Sequence, residues 1–332
     1  MMSGRTYGGH LLRLVKALLM RSIFAMLAVG VLSCTAFAGD GQLRPASDDD
    51  TLKRWLENMI WHHRYSNDEI RQVTGLEPER LAETLRLFQI SDSTRPERPK
   101  DRLLMLPYPG GRHPRIGFLD GAIEPQRETK LSVFCPWDDH SYVVMDVPEA
   151  IWSNLGLTYL AHTHIPTIWD RDKKPMERME WTVPASGGYS LIRRLPNGIE
   201  FGTMAKAHVD HIEMAMWLKN GTTEPLSDLR VQNCVMLKGA EGFDQQTNEN
   251  KKFMDGYAVA GSPDGTRWII SGWDPIHRAW GNAKCPCLHS DPKFPDCAPG
   301  ETQNVRGWLS FYQGTDLKAE LMRIETTGWK SR

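Results

Sequence analysis

Beyond residue 102 the apolar positions come in short runs of period two, while before residue 90 they fall at helical spacing. The runs RLLML, RIGFLDG, KLSVFC, SYVVMDV and LTYLAHTH are rich in Val, Ile, Tyr and Phe, and Pro, Gly or Asp-rich turns separate them, so they predict strands. The clearest stretch is 207–239. Ile212, Met214, Met216 and Leu218 alternate with Glu213, Ala215 and Trp217, NGTTEPLSD turns the chain, and Leu229, Val231, Asn233, Val235 and Leu237 alternate again. That pattern predicts a long antiparallel pair with one face buried. TRWIISGW and VRGWLSFYQG continue the habit, and LKAELMRIE closes the chain as a helix or a last edge strand. Many strands without crossover helices predict a mainly β fold, an antiparallel two-sheet sandwich over 102–332, rather than an α/β fold.

The segment 51–90 predicts a small helical domain. TLKRWLENMIWHHRY repeats apolar residues through Leu52, Trp55, Leu56, Met59 and Ile60, with Asp48 to Asp50 placed to cap its start. Ser66 and Glu69 form a capping-box pair, Gly75 ends that second helix, and Pro78 opens a third through Leu81, Leu85 and Phe88. The three resemble a helix-turn-helix unit, but Glu77, Glu79 and Glu83 stand against Arg80 and Arg86 on the helix that would read DNA. Phosphates need a basic face, so nucleic acid is not an expected partner, whereas packing or docking of a protein partner is. His62 and His63 read as surface or core fillers. The acidic stretch 39–50 and the proline-bearing stretch 91–101 read as linkers on either side.

Where the chain works decides its cysteine chemistry. Arg5, Arg13, Lys16 and Arg21 precede an apolar run that ends in Ala36-Phe37-Ala38, which predicts a signal peptide over 1–38 and a secreted or periplasmic protein with no membrane span after cleavage. Leu32 sits where a lipoprotein signal carries a small residue, which disfavours a lipid-anchored form. The net charge of -1 gives no positive field for nucleic acid or an anionic membrane.

Six cysteines then need a role, and Cys34 leaves with the leader. The run CPCLHSDPKFPDC predicts a disulfide from Cys287, or its neighbour Cys285, to Cys297 in an oxidising compartment. No cofactor is expected on that reading. The alternative is zinc or another transition metal, because Cys285, Cys287, His289 and Cys297 supply a ligand count, although with C-x-C spacing, and an odd cysteine remains. Cys135 and Cys234 read as buried strand thiols or a second pair. In AHTHIPTIWD, His162 and His164 project from one strand face, which suits proton transfer or, together with His289, Cys285 and Cys287, metal ligation. Twelve tryptophans offer flat apolar faces. Trp273 and Trp280 bracket His277 and Arg278, and with Trp169, Asp291 and Glu301 they form the expected ligand site. Walker, H-E-x-x-H and G-x-S-x-G signatures are absent from the sequence.

The stretch WLKNGTTEPLSDLRVQNCVML resembles the paired long strands of the galactose-mutarotase-like super-sandwich. That resemblance implies a sheet face that binds sugars, and it transfers no catalytic residue. The blocks HPRIGFLDGAI and CPCLHSDPKFPDC resemble a family of exported bacterial proteins, a likeness that implies no activity. The leading expectation is an exported β-sandwich that binds, and could process, a carbohydrate in a loop-lined cleft, with His162, His164 and His289 as its acid-base groups. A metal-dependent enzyme built on the His-x-His pair, a non-catalytic scaffold, and last a DNA-binding protein are the alternatives.

Overall fold

The computed structural model describes residues 43–112, 127–161, 165–174 and 176–331. The expected leader, the RIGFLDG strand and the pair His162 and His164 lie outside the described residues.

Local chemistry sets the helical start. Asp48 accepts from the Thr51 amide at 2.7 Å and opens α1 (Asp49–Glu57). The chain then widens into one π-turn over Asn58–His62, in which the His63 amide reaches back five residues to the Asn58 carbonyl. Ser66 and Glu69 form the expected capping box of α2 (Asn67–Thr74), and Gly75 ends that helix at φ 72. Pro78 opens α3 (Pro78–Phe88). Leu56, Met59, Tyr65, Ile70, Val73, Leu81 and Ile90 form the small core that these helices share.

Among the described residues, the body is two antiparallel sheets of seven strands. The first contains β1 (Met105–Pro107), β2 (Lys130–Phe134), β3 (Tyr142–Ser153), β4 (Gly156–Leu160), β8 (Val231–Met236), β12 (Ile276–Gly281) and β13 (Cys287–Pro292). Its order is β1-β2-β3-β8-β13-β12, with β4 also pairing β3. The second contains β5 (Tyr189–Arg194), β6 (Glu200–Ala207), β7 (His211–Lys219), β9 (Lys251–Met254), β10 (Tyr257–Gly261), β11 (Arg267–Asp274) and β14 (Thr302–Gln313), in the order β5-β6-β7-β14-β11-β10-β9. A four-residue helix, α4 (Ile168–Arg171), follows β4. The LKAELMRIE segment is a helix, α5 (Leu317–Thr326).

One expected pairing is corrected. The strands on either side of NGTTEPLSD do not pair with each other: β7 lies between β6 and β14 in the second sheet, and β8 lies between β3 and β13 in the first. The reason is in the alternation itself. Ile212, Met214, Met216 and Leu218 face Val231, Val235 and Leu237 across the gap between the sheets, within one shared core. The connection crosses from sheet to sheet, and the buried Asn220 side chain pins it by donating to the Glu224 and Cys297 carbonyls, each at 2.9 Å.

Both outer faces are also covered. On the second sheet, Leu317, Leu321, Ile324 and Trp329 pack over Tyr257, Val259, Trp268, Ile270 and Trp308. On the first, an outer patch of Tyr108, Phe134, Tyr142, Val144, Cys234, Met236, Cys285 and Cys287 lies opposite the inter-sheet core, and His63 from the helical segment packs on it 4.8 Å from the Tyr142 ring and 5.1 Å from the Phe134 ring. β2 and β13 are therefore buried at every position, where a half-exposed strand alternates.

Double burial traps charge. Lys130 and Asp146 are register partners on β2 and β3, and their side chains meet at 3.0 Å with no exposure at all. The Thr129 hydroxyl donates to the other Asp146 oxygen at 2.7 Å. Removing one charge of such a pair strands the other in the interior. Asp146→Asn is expected to cost on the order of 3 to 5 kcal/mol in urea unfolding; a loss within error of zero would mean that the pair is solvated.

Candidate functional site

The seam between the helical segment and the first sheet is held by polar side chains of the π-turn. Asn58 donates to the Pro107 carbonyl at 2.8 Å. His63 Nδ1 lies 3.2 Å from the Asn58 carbonyl, which can only accept, so Nδ1 carries the proton and Nε2 accepts from the Ser132 hydroxyl at 2.7 Å. Burial holds His63 down to about 3, with the charge of Arg112 adding to that effect against the Asn58 hydrogen bond. His62 is held down to about 4, by burial first and then by Arg98 and Arg95. Both imidazoles are neutral at neutral pH.

A cleft opens on each side of this seam. One, of about 600 Å³, is lined by Trp55, Trp61, Trp181, Tyr189, His62 and Asn58 among others. Trp61 and Trp181 have their indole N–H groups committed, to the Ser91 carbonyl at 2.9 Å and the Lys130 carbonyl at 3.1 Å, which fixes both rings. Arg127 stacks on Trp55 at 4.0 Å. Asn58 Oδ1 is buried and has no hydrogen-bond partner among the described residues. The other cleft, of about 580 Å³, is more charged, with Arg64, Glu69, Arg112, His140 and Lys238 around Tyr108 and Tyr142.

A second concentration of chemistry lies on the outer face of β8, β13 and β12. Cys287 and His289, two apart on β13, project to the same side, and Cys234 of β8 meets them: one ligand-type atom from each lies within 4.8 Å of the others. Cys287 Sγ is 3.3 Å from His289 Nε2 and also hydrogen-bonds the Cys234 and Cys285 thiols. His289 Nδ1 donates to the Asn233 carbonyl at 2.9 Å. Trp280 stacks on the His289 ring at 4.0 Å, and its indole N–H donates to Asp291 at 2.7 Å. Arg278 donates to the same Asp291 oxygen at 2.8 Å, while burial raises the Asp291 carboxyl above its ordinary value.

The expected site residues therefore divide. His289, Cys285, Cys287, Trp280, Arg278 and Asp291 come together. His289, expected as an acid-base group, is covered by Trp280 and lines neither cleft described above. Trp169 and Trp273, expected to face a ligand, belong to the inter-sheet core; Trp169 donates to the Thr158 carbonyl at 2.7 Å, and Trp273 lies over Gly307, where a Cβ would meet its ring at 2.7 Å. His277 is exposed on β12. Glu301 caps the Ala298 amide at 3.0 Å, at an exposed turn.

The expected Cys287 to Cys297 staple is corrected as well, since none of the five described cysteines is in a disulfide. The proline-punctuated run is not a loop. Its first half is the six-residue strand β13, about 17 Å long at the usual rise, which carries the chain away from Cys287. Cys297 donates instead to the Glu301 carbonyl at 3.3 Å.

Neither the aromatic cleft nor Cys234 was assigned to a site from the sequence. Trp55, Trp61, Trp181 and Tyr189 come from separated segments, and no local spacing joins them. Cys234 had a usable signal: alternation along β8 places it on the face opposite Val231 and Val235, the face on which Cys287 lies.

No protein-family model matches the chain, and no curated protein does. Among solved structures it is similar to a putative kojibiose phosphorylase from the human microbiome, at 9% identity and TM-score 0.35 over 70% of this chain and 36% of that one. It is also similar to a putative aldose 1-epimerase from Escherichia coli K12, at 12% identity and TM-score 0.31 over 53% of this chain and 84% of that one. A third likeness is to a heparan sulfate lyase mutant from Pedobacter heparinus, at 10% identity and TM-score 0.33 over 71% of this chain and 42% of that one. The chain spans about a third of the phosphorylase's length. Superpositions this loose carry no residue of those proteins onto this chain.

Neutral burial of His63 makes the seam sensitive to acid. Its proton affinity is depressed on folding, so the unfolded chain binds more protons between pH 6.5 and about 3, and stability falls as pH drops through that window. The contribution of this one group is about 1.4 kcal/mol per pH unit. Denaturant unfolding followed against pH should show the slope, and His63→Gln should flatten it; an unchanged slope in the variant would contradict the assignment.

Proposed function

We propose that this protein binds a carbohydrate in the aromatic cleft between the helical segment and the first sheet. The observation that carries the reading is the lining itself: Trp55, Trp61, Trp181 and Tyr189 beside the neutral His62 and the Asn58 side chain. Sugar rings offer axial C–H groups to indole faces and hydroxyls to fixed acceptors, so flat apolar walls with a few polar atoms suit them. Trp61 and Trp181 are already immobilised by their own hydrogen bonds, which lowers the entropy lost on binding.

A leader over 1–38 would put the cleft outside the cytosol, where polymeric sugars are available. Processing of the bound sugar would fall to groups lining the cleft, among them His62, whose imidazole is neutral at neutral pH and takes a proton only near pH 4.

Isothermal titration against a panel of neutral and acidic oligosaccharides tests the reading. Trp61→Ala is expected to weaken the bound glycan about tenfold, the worth of one aromatic face. Binding should hold between pH 5 and 8 and weaken only as His62 takes a proton near pH 4. A panel without a binder, or an affinity unmoved in Trp61→Ala, would overturn it.

A further inference from the structure

The thiol cluster on the outer face of the first sheet is not part of the aromatic cleft, and its geometry points elsewhere. We propose that Cys234, Cys287 and His289, with Cys285 as the fourth ligand, form a closed site for a thiophilic divalent ion of the zinc class.

Three independent features converge. The first is topological. β8 and β13 pair antiparallel with Cys287 opposite Met236 and Leu288 opposite Val235, so the same register sets His289 opposite Cys234. The sheet itself thus brings a Cys-x-His pair on one strand against a cysteine on the next, and the ligand atoms fall within 4.8 Å of one another.

The second is orientation. His289 Nδ1 gives its proton to the Asn233 carbonyl at 2.9 Å, which leaves the Nε2 lone pair facing the sulfurs, 3.3 Å from Cys287 Sγ. Metal-bound imidazoles are held in this way, one nitrogen fixed by an acceptor and the other on the ion. Glu149 and Asp291 lie 3.9 Å from Nδ1, and Trp280 stacked on the ring face fixes its plane.

The third is burial. Cys234, Cys285, Cys287 and His289 are 1%, 1%, 2% and 3% exposed. Structural zinc sites of the Cys₃His type are closed, without an open position for water, and this set supplies the count and the softness. Cys285 is already in hydrogen-bond contact with Cys287. Lys251 secures the loop that carries it by donating to the Asn282 carbonyl at 3.2 Å and the Cys285 carbonyl at 3.5 Å. Binding releases the thiol protons to solvent as the ion enters and changes no oxidation state.

The test uses the full chain, kept reduced, stripped with a chelator and titrated with Co(II). One equivalent should bind and give thiolate-to-cobalt charge-transfer absorption with the strong visible bands of a tetrahedral site, and Zn(II) should bleach both. Cys234→Ser and Cys287→Ser should abolish the charge-transfer band, and Cys285→Ser should weaken uptake at least tenfold. If these variants fail to fold, alkylation of the wild-type chain decides: Zn(II) should protect Cys234, Cys285 and Cys287 and leave the rate at Cys297 unchanged. No charge-transfer band in the reduced wild type, the same band in a folded Cys287→Ser, or equal alkylation with and without Zn(II) would overturn the proposal.

Discussion

The first sheet is covered on both faces, and most else follows from that. One face meets the second sheet across the inter-sheet core, while the other carries an aromatic and thiol patch on which His63 sits. A strand buried on one side only can send its polar residues to water. β2, β3, β8 and β13 cannot, so each polar side chain on the covered face has to find a partner within the protein. The Lys130–Asp146 pair and the His289–Asn233 hydrogen bond are consequences of this constraint. The two clefts are as well, since they open where the helical segment meets the sheet and leaves its edges.

The two proposed sites differ in how the fold makes them. The aromatic cleft is assembled from distant segments, so its shape depends on the seam that seats the helices. The thiol site is assembled by the register of β8 and β13, with Cys285 added from the turn before β13, and depends on the sheet. One is an opening fit for a ligand that comes and goes. The other is closed, and its place is structural: an ion held between β8 and β13 would tie together the two strands, beside β12, whose Arg278 and Trp280 donate to Asp291 of β13.

The sequence was most legible where local chemistry decides structure. Asp48, the Ser66 and Glu69 pair, Gly75 and Pro78 stand at the helix boundaries that capping physics requires, and the alternation of Ile212, Met214, Met216 and Leu218 named the buried face of β7. Legibility failed where two partners satisfy the same pattern. Alternating apolar faces on either side of a nine-residue turn fit a hairpin or two facing sheets equally well, and only the whole core selects the second. The cysteine-rich run misled for a related reason. Spacing suggested a loop closed on Cys297, but Leu288, Ser290 and their neighbours extend the chain as an internal strand, and the partner of Cys287 is fifty-three residues away in Cys234.

The His63 seam and the aromatic cleft require the helical segment to be part of the same folded body as the first sheet. Hydrogen exchange by mass spectrometry, read peptide by peptide, addresses that directly. Amides of α2 and α3 should exchange with the opening free energy of β3 and β8, because the His63 seam opens only when the sheet does. Exchange of the helical peptides orders of magnitude faster than the strands, as from a separate body, would contradict it.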